Sequence, residues 1–237
     1  MIWLGIETAN TPLSIAVIKD GKIVAEMVQN IKLTHSAGAM PAIEEILARI
    51  DVKPNDLDAI AVSEGPGSYT GVRIGVTLAK TLAWTLQKPL VGVSSLKALA
   101  ANAALYNGLV CPIFDARRRN VYTAVYQGET LEALVEDHHA HIDDVLVRLK
   151  ALEQPILFVG TDVDIFWENI VQMLGDNAVR APFSIDLPRA TEVIYIATKM
   201  ELPSVEATHH FVPQYKRIAE AEANWLKEQK EKEKEHD

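Results

Sequence analysis

Apolar residues dominate the first 28 positions in three short runs, IWLGIE, LSIAVI and KIVAEMV. Runs of that length, rich in Ile and Val, read as β-strands. Asp20-Gly21 separates the second from the third, and a two-residue type I′ turn needs positive φ at both positions, which Asp and Gly tolerate. A β-meander is predicted. The period then lengthens: in PAIEEILARI, Ile43, Ile46, Leu47 and Ile50 recur at helical spacing, with Glu44, Glu45 and Arg49 on the other face. Pro41 fits best in the first turn of that helix. LDAIAVSE reads as a buried strand running into GPGSYTG, followed by a long helix over 70–86, the strand LVGV and the helix SLKALAANAAL.

Past residue 108 a similar set begins again. VCPIF and VYTAVY are strands around the turn DARRRN, IDDVLVRLKAL is a helix, PILFVG a strand and ATEVIYIATKM a helix. No repeat is detectable by identity between the halves. Two α/β lobes account for the pattern, 1–100 and 101–220, followed by a charged tail over 221–237. The end of that tail, LKEQKEKEKEHD, reads as a solvated, frayed helix or a disordered segment.

Composition narrows the function. At 237 residues, nearly half of them apolar, the chain is long enough for two modest lobes sharing a cleft. The single cysteine, Cys111, sits in the apolar run LVCPIF, so neither an internal disulfide nor cysteine-based zinc binding is expected. MIWLGIETAN has no basic region and carries Glu7, so no signal peptide is expected. No apolar stretch approaches the ~20 residues of a membrane span. A cytoplasmic protein with no membrane partner is the expectation. The net charge of −9 argues against nucleic acid as the principal partner of this chain alone.

The glycine loop SEGPGSYTGVRIGV holds the sharpest question. A Walker loop needs a Lys after its last glycine, but Val72-Arg73 follow Gly71. The dinucleotide fingerprint fails as well, because Gly65, Gly67 and Gly71 are spaced G-x-G-x-x-x-G. The loop still enters a helix N-terminus, where free N–H groups accept anions. Gly71, Gly75, Ala79 and Ala83 recur every fourth residue and form a ridge without bulk, which permits close approach of another backbone. Ile74, Leu78 and Leu82 lie opposite, Val72 and Val76 flank the ridge, and Arg73 and Lys80 share one narrow stripe. A helix so widely apolar is buried on two sides. One side is its own sheet; the other is either an element of the same lobe or a helix of a second subunit.

These residues resemble a known family. SEGPGSYTGVRIGVTLAKTLA together with IETANTPLSIAV strongly resembles the YeaZ/TsaB family of bacterial proteins, and DARRRNVY and PQYKR are similar to further motifs of it. The resemblance extends to about residue 217. It implies an α/β, two-lobed actin-like ATPase fold (ASKHA, ribonuclease H-like) with a degenerate nucleotide site. The implied role is in forming threonylcarbamoyl-adenosine beside the anticodon of tRNAs that read codons starting with A. The implied part is non-catalytic: a subunit that pairs with a related catalytic subunit, TsaD, and is joined by a small ATPase, TsaE. Contact with tRNA then comes only through the complex, and the chain alone is a homodimer. The family's interface maps onto the helices at 35–50 and 70–86, and hence onto Pro41, Glu44, Glu45, Leu47, Gly71, Val72, Arg73, Gly75, Val76, Ala79, Lys80 and Ala83.

The resemblance also indicates what is missing. The catalytic relative carries a metal-binding H-x-x-x-H where this chain has Ser95 and Leu99, and neither replaces an imidazole. His138, His139 and His141 in EDHHAHID read as a surface loop or a weak metal binder, and His35 as a cap or interface donor. No metal site is expected. Glu7-Thr8-Ala9 resembles the family's first phosphate loop with Glu for the usual Asp. Gly108, Gly128, Gly160 and Gly175 of the second half include no adjacent pair for an adenosine turn. No tightly bound cofactor is expected, and Glu7, Thr8, Gly65 and Gly67 are left as contacts to ATP or ADP at a partner interface. Asp115 could orient Arg117, with Arg118 beside it, toward a partner or tRNA phosphate, or close an ion pair within its loop worth at most ~1 kcal/mol. Ser68 lacks the G-x-S-x-G spacing of a nucleophile elbow. The competing readings are a small-molecule kinase or ATPase of the same fold, and a protease.

Overall fold

The computed structural model describes residues 1–31 and 35–216; the expected tail at 221–237 lies outside the described residues. The meander is present as β1 (Ile2–Glu7), β2 (Leu13–Lys19) and β3 (Lys22–Gln29). Asp20 and Gly21 between the last two adopt φ of 52° and 75°, as the turn chemistry requires. Next come α1 (His35–Arg49), β4 (Ala59–Gly65), α2 (Tyr69–Leu86), β5 (Leu90–Ser94) and the short α3 (Ser95–Ala101). The second half contains β6 (Leu109–Asp115), β7 (Asn120–Gln127), β8 (Ala133–His141) and α4 (Ile142–Lys150). It continues with β9 (Ile156–Val159), α5 (Val163–Leu174), β10 (Ala178–Arg180) and α6 (Ala190–Ala197).

The two halves repeat one topology. The first sheet runs β3-β2-β1-β4-β5 and the second β8-β7-β6-β9-β10. In each, the first three strands pair antiparallel, and the last two add parallel to the first. Helices α1 and α2 cover one face of the first sheet, where Leu4, Ile6, Ile15, Val17, Ile60 and Val62 meet Ile43, Leu47, Val72 and Val76. Helices α4 and α5 cover one face of the second. The two inner faces share a single core, built from Trp3, Ala16, Ala59 and Ala61 on one side and Val110, Phe114, Ala124 and Leu157 on the other. Helices α3 and α6 lie inside it, and they are exchanged: α3 packs on β6 and β7, α6 on β1, β2 and β4. Strands buried on both faces cannot alternate with polar residues, which is why they read as continuous apolar runs.

Several expectations change. Pro41 stands inside α1, six residues after its start, not in its first turn. The helix expected over SLKALAANAAL ends at Ala101, because the Asn102 side-chain amide turns to donate to the carbonyls of Ile185 (2.9 Å) and Leu187 (2.8 Å). EDHHAHID is not a loop: most of it is β8, paired with β7. The expected second lobe also returns to the first. The Ala190 N–H donates to Ser14 Oγ at 2.9 Å, Thr191 Oγ1 donates to Glu26 Oε1 at 2.8 Å, and Arg189 forks onto Glu26 of β3.

Gly5 on β1 marks the closest part of that docking. A Cβ there would stand 2.7 Å from the Ala190 carbonyl oxygen and 2.8 Å from Ile194 Cγ1. Gly5→Val is expected to lower stability by about 1–3 kcal/mol, the usual range for overpacking, read as a lower urea midpoint with unchanged slope.

Candidate functional site

The glycine loop and the turn after β1 meet where the first lobe faces the second. Ser68 caps α2, its Oγ accepting the Gly71 N–H at 3.3 Å. The Thr8-Ala9 turn lies directly beneath this helix. Ser68 N–H donates to the Ala9 carbonyl at 2.7 Å, and Thr8 Oγ1 donates to the Gly71 carbonyl at 2.8 Å. A side chain at Gly67 would collide with the Ala9 carbonyl, one at Gly71 with the Thr8 carbonyl, and one at Gly75 with Thr8 Oγ1. The small ridge is therefore used within this chain. Gly71, Val72, Gly75, Val76, Ala79 and Ala83 are all on the side of α2 that is buried against its own lobe.

The outward surface of the helix pair is different. Pro41, Glu44, Glu45 and Arg73 are exposed, and Glu45 pairs with Arg49 at 2.7 Å. Leu47 is buried but lines an apolar groove of about 320 Å³ between the helices, with Met40, Ile43, Leu82 and Leu86. Lys80 faces neither groove nor partner. Its ammonium donates to the carbonyls of His209 (3.1 Å) and Phe211 (2.9 Å), pinning the C-terminal segment 205–216 along α2. His209 packs on Trp84, Gln214 N–H donates to the Glu64 carbonyl at 2.7 Å, and Tyr215 stacks on Tyr69 with ring centroids 5.0 Å apart. Gly65, at φ +106°, leaves room for the Gln214 carbonyl over it.

The four residues expected to contact nucleotide are thus packed against their own chain. Glu7 is fully buried, with Oε1 accepting the Ala9 N–H at 2.7 Å and Oε2 unpaired among the described residues. Ser63, equally buried, weighs on the carboxyl without hydrogen-bonding geometry. Burial pushes the Glu7 carboxyl up to about 7, against the partial relief supplied by Ala9 and Ser63. Ser95 and Leu99, the positions where the family's catalytic relative carries imidazoles, have structural tasks: Ser95 Oγ accepts the Gly65 N–H at 3.1 Å, and Leu99 packs against Gly160. Among the described residues no group of three or more His, Cys, Asp or Glu side chains could hold a metal ion. None of the helices there is long and apolar enough to cross a membrane.

Two bridges join the lobes. On one flank Asp162, before α5, accepts from the Asn10 side-chain amide (3.2 Å) and from the Asp115 backbone N–H (2.8 Å). Asp115 in turn accepts the backbone N–H of Arg117 at 2.9 Å; it binds main chain, not the guanidinium expected from the sequence. Arg117, Arg118 and Arg119 are all left-handed, with φ of 64°, 53° and 60°, and the Asn120 amide holds the carbonyls of the first two. On the other flank Asp137 of β8 accepts from Ser94 Oγ at 2.5 Å and from the Tyr126 hydroxyl, which is thereby held, with burial, above its ordinary range. His35 Nε2 binds the Asn10 carbonyl at 2.9 Å, and His141 sits at the N-cap of α4. Sequence reasoning missed Asp162, Asp137 and the 205–216 strap, since long-range partners leave no local signal.

Comparison with known proteins places this geometry. The family described as "TsaD: tRNA N6-adenosine threonylcarbamoyltransferase" matches residues 22–225. The tRNA threonylcarbamoyladenosine biosynthesis protein TsaB of Bacillus subtilis is 44% identical over 232 residues, covering 97% of this chain and 100% of that one. Its namesake in Escherichia coli is 32% identical, covering 90% and 94%. The solved structure of YeaZ from Pseudomonas aeruginosa superimposes with a TM-score of 0.74 at 26% identity, over 90% of this chain and 99% of that one. A ROK hexokinase from Thermus thermophilus, 12% identical, shares the fold with a TM-score of 0.51, over 84% of this chain and 100% of that one. The architecture is the two-lobed, actin-like α/β fold.

Glu7 and Lys80 are directly testable. A carboxyl whose folded pKa is raised stabilises the fold when protonated, so stability falls as pH rises from about 4.5 to about 7 and then levels. Glu7→Gln is expected to abolish that slope and gain about 3 kcal/mol above pH 7, read from urea midpoints at pH 5 and 8. Lys80→Met is expected to speed tryptic cleavage after Lys216 several-fold while the far-ultraviolet dichroism stays unchanged.

Proposed function

We propose, from the premise that this chain belongs to the YeaZ/TsaB family of tRNA threonylcarbamoyladenosine biosynthesis proteins, that it is the non-catalytic subunit of that machinery. In this reading it docks a TsaD-like catalytic subunit through α1 and α2, a TsaE-like ATPase joins the pair, and tRNA is engaged by the assembled complex. Alone, the chain pairs with a second copy through the same face, and any ATP or ADP binds at the partner interface. The setting is the cytoplasm.

The apolar groove between α1 and α2 is the observation that carries the reading. Met40 is exposed along it, and Leu82 and Leu86 are only half covered. Such a surface bordered by Glu44, Asp51 and Lys53 has the composition of a protein interface: an apolar centre with a charged border. The absence of catalysis is supported by the tasks of Ser95 and Leu99, which are taken up in closing the interlobe core. It is supported further by Glu7, turned back onto its own loop where a metal-bound water would otherwise sit. A kinase of the same fold would need that carboxylate free and the cleft open; the bridges at Asp162 and Asp137 argue against both.

Gly75→Leu is no test of this interface, because it would strike Thr8 in the same chain. Leu82→Glu is the sharper variant. Light scattering on a sizing column is expected to show wild-type dimer converting into a mixed complex with the cell's TsaD-like protein. Leu82→Glu, with its melting temperature held within a few degrees, is expected to stay monomeric and to bind the partner at least tenfold more weakly. A variant that assembles normally overturns the assignment of the face.

A further inference from the structure

The strap that Lys80 pins to α2 ends in a surface feature that the assembly reading leaves unused. Tyr215 stacks on Tyr69 at 5.0 Å and 29° between planes, and both rings remain about half exposed, 46% and 56%. The Arg73 guanidinium lies over Tyr69 at 5.4 Å and donates to its hydroxyl at 2.9 Å, fixing the ring from the helix side. Lys216 follows immediately, close enough to Glu64 to offset part of the rise that burial imposes on that carboxyl. A rigid pair of π-faces flanked by two cations, on a chain with a net charge of −9, is an isolated island of the chemistry that binds nucleobases.

The island is continuous with the basic hairpin of the second lobe. Ser68, next to Tyr69, donates to Ala9. Asn10, next to Ala9, donates to Asp162, which accepts from Asp115, and Asp115 accepts from Arg117. This edge of linked contacts crosses the interlobe seam, from the loop before Tyr69 to the turn that carries the exposed Arg117. The fold holds Arg117 in a left-handed backbone conformation at this rim.

We propose that this edge binds single-stranded RNA, with an unpaired base stacked on the exposed side of the Tyr69–Tyr215 pair and its flanking phosphate met by Arg117. The proposal rests on the reading of the chain as a subunit of a tRNA-modifying complex, and it gives that subunit a direct contact with the substrate. Given the net charge, the contact acts once the partner supplies most of the phosphate neutralisation. The aromatic pair adds affinity and register.

The test uses the full chain assembled with its TsaD-like and TsaE-like partners and an unmodified tRNA transcript carrying 4-thiouridine. Irradiation is expected to cross-link the transcript to this chain, and Tyr215→Ala and Tyr69→Ala are expected to abolish the cross-link. In the modification assay each is expected to raise the KM for tRNA about tenfold with kcat unchanged, the loss of one base–aromatic stack, while Phe at either position restores it. Wild-type cross-linking and KM in both alanine variants overturn the proposal. So does a variant that fails to assemble on the sizing column yet shows normal KM when the partner is saturating, since the pair then serves protein docking. If the wild-type complex cross-links through these tyrosines but modifies nothing, the stacking site stands and the assignment to that machinery falls.

Discussion

The structure depends on the close approach of two backbones at the foot of α2. Three glycines, at 67, 71 and 75, let the Thr8-Ala9 turn lie directly beneath the helix, with Thr8 donating to Gly71 and Ala9 accepting from Ser68. No side chain fits at those positions, which is the physical reason for the glycines. The contact fixes the turn after β1, and that turn carries Glu7 inward and Asn10 outward to Asp162. It also leaves the opposite surface of α2 to the groove and the strap. The loop that looks fit for phosphate packs tightly on its own chain.

Much of the fold was legible because the strands are short and buried on both faces. Ile and Val runs bounded by turn residues identified all the central strands, and Asp20-Gly21 identified the hairpin. The misses have separate causes. β8 carries Glu136, Asp137, His138 and His139, so its side chains look like a loop's; only its pairing with β7 makes it a strand. Helix α5, absent from the expected elements, does carry a local signal, with Val163, Phe166, Ile170 and Leu174 at helical spacing. Pro41 stands inside α1 because tertiary packing on the first sheet outweighs the proline's local preference for a first turn.

The candidate site was legible in part. The spacing of Gly71, Gly75, Ala79 and Ala83 revealed a ridge made for close contact, but spacing cannot say whose backbone fills it. Thr8, more than 60 residues away in sequence, fills it here. Lys80 shows the same limit, since its two carbonyl partners lie about 130 residues downstream. Local pattern reports the need for a neighbour, and topology decides its identity. Of the predicted interface, Pro41, Glu44, Glu45 and Arg73 stay exposed, and Glu44 among them borders the apolar groove.

The exchange of α3 and α6 between the sheets bears on how the protein is made. The inner face of the first sheet, with Trp3, Ala59 and Ala61, is covered mainly by α6, near the end of the chain. At bacterial synthesis rates of roughly 5–20 residues per second, that face stays bare for on the order of ten seconds after β5 has emerged from the ribosome. The first half therefore cannot mature on its own while translation continues. Its inner face is completed only when α6, ending at residue 197, packs on β1, β2 and β4.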